Sequence, residues 1–414
     1  MKSVCFCNST LAWGGGENWH LNAARSLSRR GWRVILLCHP DGALFQRARA
    51  LPGVLVVPMP LGRLSFLNPF TRRRLVRFFR RERVRALIMN LPADLKAAGP
   101  AAKAAGVRHV IYRRGSALPV RDSLLNRRLY GTVMTRLIVN SQATLAQVLV
   151  NNPGLIPRDR VSILPNGVDI ADFDAKLEAA HRPDFARTDA APVNSARPAK
   201  ASSPVPFILG NAGRLNRQKG QHLLLHLVRR LVDAGLDARL VIAGAGEREA
   251  ELKGLAASLG IAERTEFAGF MENLAPFWLA IDCFVLTSLW EGFGNVIIEA
   301  GLARKPVFAF AVSNLPELIR EGENGRLFPL PQEERGECPD YGPEHPQAGP
   351  SGQPHAQGGD PAGAPYAALD AMARGLLELA ADTDLRRKMG EAGRIAAESY
   401  SQDACMDALE RLLE

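Results

Sequence analysis

The sequence predicts an α/β protein of two similar halves, each a parallel sheet of nucleotide-binding type, with a cleft between them. Three observations carry this. Short β-like runs alternate with helical stretches of about 10–15 residues in both halves, the pattern of βαβ units. A stretch rich in Ala, Pro and Ser at 184–206 breaks the alternation near the middle and reads as a linker. The chain has 414 residues, 47% of them hydrophobic and 23% charged. That is enough for two or three domains with sizeable cores, and it excludes wholesale disorder.

The first half opens with a strand over Val4–Asn8 and a helix over Asn18–Arg30 that Gly31 ends. Strands follow at Trp32–Cys38 and Val54–Pro58. A helix is predicted over Thr71–Arg85 with Thr71 as its cap, then a strand over Ala86–Asn90 and a helix over Leu95–Ala105. Val107–Tyr112 and Arg136–Asn140 read as strands, and Asn126–Gly131 and Gln142–Asn151 as helices.

In the second half, strands are predicted at Phe207–Ala212, Ala238–Ala243, Thr265–Ala268, Cys283–Thr287 and Pro306–Phe310. The helices between them run over Gly220–Ala234, Glu247–Leu259, Leu274–Ala280 and Asn295–Ala303, with one more near Pro316–Glu321. Residues 331–365 hold eight Pro and seven Gly, which reads as a mobile surface loop. Helices are predicted again at Tyr366–Ala381, Asp384–Glu398 and Gln402–Leu413.

No run of about 18 apolar residues predicts a membrane-spanning helix. The start, Met1 to Asn8, is too soon polar for a secretory signal. The six cysteines form no C-x-x-C pair and read as buried apolar residues in a reducing, cytoplasmic setting. His222 and His226 stand one turn apart without a third ligand, so no metal site is predicted. The net charge of +10 is divided unevenly: +18 over residues 1–180 and −8 over 181–414. A basic first half implies an anionic partner: nucleic acid, a phosphorylated glycan or an anionic membrane surface.

Three segments carry chemistry. Gly14-Gly15-Gly16-Glu17 lies between the first strand and the first helix, where glycines let backbone amides approach an anion. It is not a G-x-G-x-x-G fingerprint. Gly213-Arg214-Leu215-Asn216-Arg217-Gln218-Lys219-Gly220 follows a strand and precedes a helix. Arg214 and Lys219 there suit a diphosphate, neutralising charge that builds on a leaving group. The alternative is a solvated basic turn. Glu291-Gly292-Phe293-Gly294-Asn295-Val296-Ile297-Ile298-Glu299 is the most specific. The amides near Gly294, Asn295 and Val296 stand at a positive helix end. Glu291 is placed to accept bonds from sugar hydroxyls, and Glu299, two turns on, to reach a ribose diol. The alternative, a capped helix with two surface glutamates, gives Gly292 and Gly294 no reason.

With these residues the whole chain resembles a family 4 glycosyltransferase of the GT-B fold, with two Rossmann-like domains. The matching motifs are Gly14–Gly16, Asn140-Ser141, Pro165-Asn166-Gly167-Val168-Asp169, Gly213-Arg214 with Lys219-Gly220, Gly244-Ala245-Gly246-Glu247, Glu291–Asn295 with Glu299, and Asn324-Gly325. The resemblance implies an acceptor-side domain at 1–180, a linker at 181–206, a nucleotide-sugar-binding domain at 207–385 and helices at 386–414 that return toward the first domain. It implies a nucleotide-diphosphate sugar as donor, no tightly bound cofactor, and transfer with retention and without a metal. Arg214 and Lys219 would hold the diphosphate and Glu299 the ribose. Phe270 and Met271 would lie beside the base. Glu291, Gly294, Asn295 and Val296 would hold the sugar and its phosphate, and Gly15 and Gly16 would meet the diphosphate from the other half.

The leaving diphosphate would help remove the acceptor proton, with cations stabilising the charge left behind. The paired-carboxylate scheme of glycoside hydrolases does not transfer to Glu291 and Glu299. Two departures stand out. Where many relatives carry a His after the strand ending at Tyr112, this chain has Arg113, a candidate to take over part of that role by binding a phosphate or an acceptor group; the alternative is a structural role. The turn Ser313-Asn314-Leu315-Pro316-Glu317 lacks the paired glycines of relatives.

On the acceptor side, Arg72, Arg73, Arg74, Arg77, Arg80, Arg81, Arg83 and Arg85 face only Glu82, around a stripe of Leu75, Val76, Phe78 and Phe79; the alternative to a binding surface is an amphipathic helix that packs that stripe on the sheet and wets its arginines. Near a charged membrane each basic residue contributes about 1 kcal/mol. The reading is peripheral docking at the inner face of the cytoplasmic membrane, to glycosylate a glycan or lipid-linked acceptor in cell-envelope polysaccharide or lipopolysaccharide synthesis. The rivals are a sugar-nucleotide epimerase, a glycan phosphorylase (for which no pyridoxal lysine motif is evident) and a nucleotide-sugar-binding subunit that has lost turnover. Nucleic-acid binding is disfavoured by the lack of interleaved aromatics.

Overall fold

The computed structural model describes residues 2–62, 64–181, 205–331, 334 and 367–414. The linker at 184–206 and the loop at 331–365 fall almost wholly outside them. Two compact units emerge: Met1–Ile170 with Gly292–Asn295 and Glu398–Glu414, and Ala171–Glu291 with Val296–Ala397.

The first unit holds strands β1 (Ser3–Asn8), β2 (Arg33–Cys38), β3 (Val54–Pro58), β4 (Ala86–Met89), β5 (His109–Arg114), β6 (Arg136–Val139) and β7 (Val161–Ile163). They pair in the order β3-β2-β1-β4-β5-β6-β7, and every pairing is parallel. The second unit holds β8 (Phe207–Ala212), β9 (Ala238–Ala243), β10 (Thr265–Gly269), β11 (Cys283–Leu286), β12 (Val307–Phe310) and β13 (Gly325–Phe328). Their order is β10-β9-β8-β11-β12-β13, again all parallel. Central strands such as β1, β4 and β11 are buried along their whole length. Parallel sheets covered on both faces need such unbroken apolar runs.

Several boundaries differ from the sequence reading, each for a local reason. The first helix is Gly15–Arg29, so Gly15 and Gly16 form its first turn and not a loop before it. The arginine-rich helix is Pro69–Arg81, capped by Asn68, whose side chain accepts from the Phe70 and Thr71 amides; Thr71 lies inside it. Arg83, at φ 50°, ends it. β5 extends past Tyr112 because Arg113 and Arg114 pair in register with Ile138 and Val139 of β6. Arg113 is therefore a strand residue. The helix Leu124–Arg128 passes into a π turn over Leu129–Val133. β7, β13 and the helices Ala43–Ala48 and Ile170–Ala179 were not foreseen.

The last helix, Gln402–Leu413, completes the first unit. Its Cys405, Met406, Leu409 and Leu413 join one buried cluster with Val4, Phe6, Leu27, Trp32 and Leu36. Around them Arg30 binds Asp403, Asp407 and Glu410, and Lys2 meets Glu414 at 2.7 Å. The Trp32 indole donates to Glu410. Surface ion pairs contribute little each, so the apolar cluster holds the helix. The five described cysteines are free and buried, and burial pushes the Cys38 thiol up to about 12. Leu409→Ala is expected to cost about 2–5 kcal/mol, as buried leucines do. The exposed Asp407→Ala is expected to cost less than about 1 kcal/mol. Urea denaturation of the two variants checks this; equal midpoints would contradict the assigned core.

Candidate active site

In both units the strand order reverses at one point, between β1 and β4 and between β8 and β11. Connections leave to opposite sides there, and a crevice opens at the carboxyl ends of the two strands, the usual ligand position in such sheets. The motif segments 213–220 and 287–294 directly follow β8 and β11.

In the second unit the two loops are stitched together. The Leu289 amide donates to Gln218 O at 2.8 Å. Gln218 Nε2 donates to Trp290 O at 3.0 Å, and Thr287 Oγ1 to Gly220 O at 2.9 Å. Gly220 is left-handed at φ 59°, and a Cβ on it would lie 2.1 Å from Thr287 O, so no other residue fits. This places Lys219 Nζ 2.6 Å from Glu291 Oε1, with little solvent on either side chain. Ser288 Oγ donates to the same oxygen at 2.6 Å, and the Glu291 amide donates to Ser313 Oγ at 2.9 Å. Ser313 holds a positive φ of 51°, where a glycine would have no strain. Asn216 caps the short turn Arg217–Lys219 by accepting the Lys219 amide.

Arg214 is exposed and makes no side-chain bond among the described residues. Phe270 stands out in solvent after β10, and Met271 is half-buried. Val296 is half-buried at the start of the helix Asn295–Leu302. One helical stretch on, Glu299 has its carboxyl pushed up to about 7 by burial, with Lys176 opposing weakly. The structure thus joins Lys219 to Glu291. Among the described residues, no bond ties Arg214, Phe270 or Glu299 to that pair. His222 and His226 stay one turn apart and half-buried on the helix Gln221–Asp233, and His222 meets Glu334 at 3.0 Å.

In the first unit, Gly16 allows the first helical turn to approach Asn90, whose Nδ2 would lie 2.2 Å from a Cβ there. Gly15 has open space. Arg113 is 1% exposed. Its guanidinium donates to Asn90 Oδ1 at 3.2 Å and Asn166 Oδ1 at 2.6 Å, and lies 4.2 Å from the Trp19 ring centroid. Burial lowers it to about 9. This corrects the expected loop position: Arg113 is a buried strand residue, and its side-chain hydrogen bonds go to neutral side-chain amides. Asn166 also donates to Asn295 Oδ1 at 2.9 Å, and Asn140 donates to Gly292 O at 3.2 Å. Gly294 is left-handed at φ 77°.

The sequence reading missed the groups beneath the glycine turn. Asn8 Nδ2 donates to Glu17 Oε1 at 2.9 Å, and the Ser9 amide donates to Asp94 Oδ2 at 3.3 Å. Asp94 is fully buried, and burial raises its carboxyl to about 6. The available signal was its place in the first turn of the helix Pro92–Ala105, just after β4 at the strand reversal.

Residues 13–172 match the family described as Glycosyltransferase Family 4, and residues 194–335 match Glycosyl transferases group 1. Together the matches take in most of the chain, and the chain belongs to the family 4-type glycosyltransferases. Over 218 residues it is 29% identical to the lipopolysaccharide core biosynthesis glycosyltransferase LpsE of Rhizobium meliloti, covering 52% of this chain and 52% of that one. It therefore spans about half the length of that relative. Its fold is similar to a glycosyltransferase from Rickettsia africae ESF-5, with a TM-score of 0.75 and 16% identity over 100% of this chain and 97% of that one. It is also similar to HepE of Anabaena, solved in complex with UDP and glucose. There the TM-score is 0.72 and the identity 20%, over 100% and 99% of the two chains. The two-domain α/β fold is that of GT-B glycosyltransferases.

Because Asp94 is raised from 3.8 to about 6 on folding, the folded state holds its proton more tightly. Its stabilising contribution is present below about pH 4 and lost as pH rises to about 6. Wild type is expected to lose stability across that window relative to Asp94→Asn. Urea midpoints from pH 4 to 7 test this, and parallel curves would refute it.

Proposed function

We propose that this chain is a retaining, metal-independent glycosyltransferase that moves a sugar from a nucleotide diphosphate to a glycan or lipid-linked acceptor of the cell envelope. The observation that carries the reading is the Lys219–Glu291 pair at the β8/β11 reversal. A cation and a carboxylate in one crevice suit the two ends of a sugar diphosphate. Lys219 bonds the phosphate, and Glu291, oriented by Ser288 and Ser313, accepts from sugar hydroxyls. The exposed Arg214 adds a second cation. Gly294, Asn295 and Val296 offer amides at a helix start, Glu299 accepts from the ribose diol, and Phe270 and Met271 flank the base. In the first unit, Gly15 and Gly16 offer the amides of a helix start to the diphosphate.

In the step proposed, the acceptor hydroxyl attacks the anomeric carbon on the face the diphosphate leaves. The new C–O bond forms as the old one breaks, and the proton passes to a leaving phosphate oxygen. Lys219 and Arg214 stabilise the charge that remains. Support for the donor class comes from HepE, solved with UDP and glucose. Support for the envelope acceptor comes from the lipopolysaccharide core relative LpsE. The basic first half adds an anionic membrane surface at the inner face of the cytoplasmic membrane as a partner. Arg113 acts here through Asn90 and Asn166, as a positioning group.

Calorimetric titration with UDP, GDP, ADP, CMP and dTDP and their sugar conjugates tests this. One nucleotide is expected to bind, and Lys219→Ala is expected to weaken it about 10- to 100-fold, the worth of a charge-assisted bond. No binding by any nucleotide would sink the reading. Conversion of donor without acceptor would favour an epimerase, and binding without turnover a subunit that has lost catalysis. If Glu299 holds the ribose, affinity rises as pH passes upward through about 7, because the ionised carboxylate is the better acceptor. Glu299→Gln is expected to flatten that profile.

A further inference from the structure

A second concave site lies in the first unit, at the edge strand of its sheet. Val57 and Met59, on and just after β3, form its floor with Phe78. One wall is the helix Pro69–Arg81, which contributes Arg73, Arg74, Arg77 and Arg81, and Phe70 completes the lining. The cavity volume is about 720 Å³, within the ordinary size range of small-molecule sites.

Arg73, Arg77 and Arg81 recur every four residues and so form one ridge along the helix. Arg73, Arg74 and Arg77 make no ion pair among the described residues; Arg81 meets Glu82 at 2.8 Å. Four guanidinium groups thus stand over an apolar floor. Among the described residues the lining holds no carboxylate, amide or hydroxyl side chain, so no side chain there accepts from the hydroxyls of a sugar phosphate or a nucleotide. Beside it, Leu64, Leu67 and Phe70 are 70%, 66% and 73% exposed. Three large apolar side chains within seven residues, next to a cationic ridge, have the composition of a membrane-interface segment.

We propose that this groove binds one anionic membrane lipid. Its phosphate lies along the arginine ridge, and the first acyl carbons run over Val57, Met59 and Phe78. This deepens the membrane-surface part of the function proposed above and rests on it. It turns a diffuse basic surface into a site of defined stoichiometry. Arginine suits the role because its planar fork bonds phosphate oxygens in pairs, and the apolar floor supplies what a free phosphate cannot use.

The test uses the full chain and dihexanoyl phosphatidylglycerol below its micelle concentration, with glycerol phosphate and dihexanoyl phosphatidylcholine as comparisons. Vesicles of phosphatidylcholine with and without phosphatidylglycerol complete the set. The expected result is saturable binding of one short-chain anionic lipid per chain, with at least tenfold weaker binding of both comparisons. Arg73→Glu with Arg77→Glu is expected to weaken it at least tenfold. Arg72→Glu with Arg85→Glu makes the same change in charge outside the groove and is expected to change it less than threefold. Equal loss in both double variants would overturn the groove in favour of a diffuse patch. Glycerol phosphate binding as well as the lipid would overturn the lipid assignment, as would no binding. Thermal unfolding verifies that each variant folds. Nucleotide titration of the same samples registers failure of the donor reading separately.

Discussion

The reversal of strand order at β8/β11, repeated at β1/β4, is the constraint on which the rest depends. A parallel sheet needs crossovers. Where successive crossovers leave to opposite sides, the strand ends between them stay uncovered. In the second unit the Lys219–Glu291 pair stands at that gap. The loops after β8 and β11 are tied by Gln218 and Thr287, and Lys219 comes within hydrogen-bond distance of Glu291 although 72 residues separate them. The same geometry in the first unit brings Asp94 under Ser9 and Asn90 against Gly16.

The two units treat buried charge differently. In the second, a cation and an anion meet directly, with Ser288 sharing the carboxylate. In the first, Arg113 is buried among neutral amides and an indole ring, and Asp94 is buried against a backbone amide. Burial shifts both toward their neutral forms, down to about 9 for Arg113, where the Glu17 carboxylate opposes it, and up to about 6 for Asp94, where the same carboxylate adds to it. Removal of Asn90 or Asn166 would leave a buried guanidinium N–H without its acceptor, which costs more than the lost bond alone.

The long apolar strands were legible in the sequence because burial on both sheet faces demands unbroken hydrophobic runs, as in Val4–Asn8 and Cys283–Leu286. Short edge strands were not. Val161-Ser162-Ile163 and Gly325-Arg326-Leu327-Phe328 are too brief for a period to show, and partners far away in sequence decide their state. Arg113 and Arg114 read as loop residues because two arginines seldom end a buried strand; register with β6 overrides that preference. The Glu291 and Lys219 segments were visible because glycines and charges stand together beside predicted strand ends. Ser313 carries no pattern of its own, and only the closure of the second unit brings its hydroxyl to the Glu291 amide; Asp94 is likewise silent in the sequence of the first unit.

The helix Gln402–Leu413 belongs to the unit that holds β1 to β7, although the whole second unit intervenes in the chain. On the ribosome, synthesis runs from the first residue onward, and domains generally fold as they emerge. Here the second unit can finish while the first still lacks the helix that covers Val4, Phe6 and Leu27. For the time needed to make more than 200 residues, an incomplete apolar face stays open to chaperones or to neighbouring nascent chains. A gene divided between the units would leave that face open for good, so the two halves are bound to a single reading frame by a helix that neither half of the sheet pattern reveals.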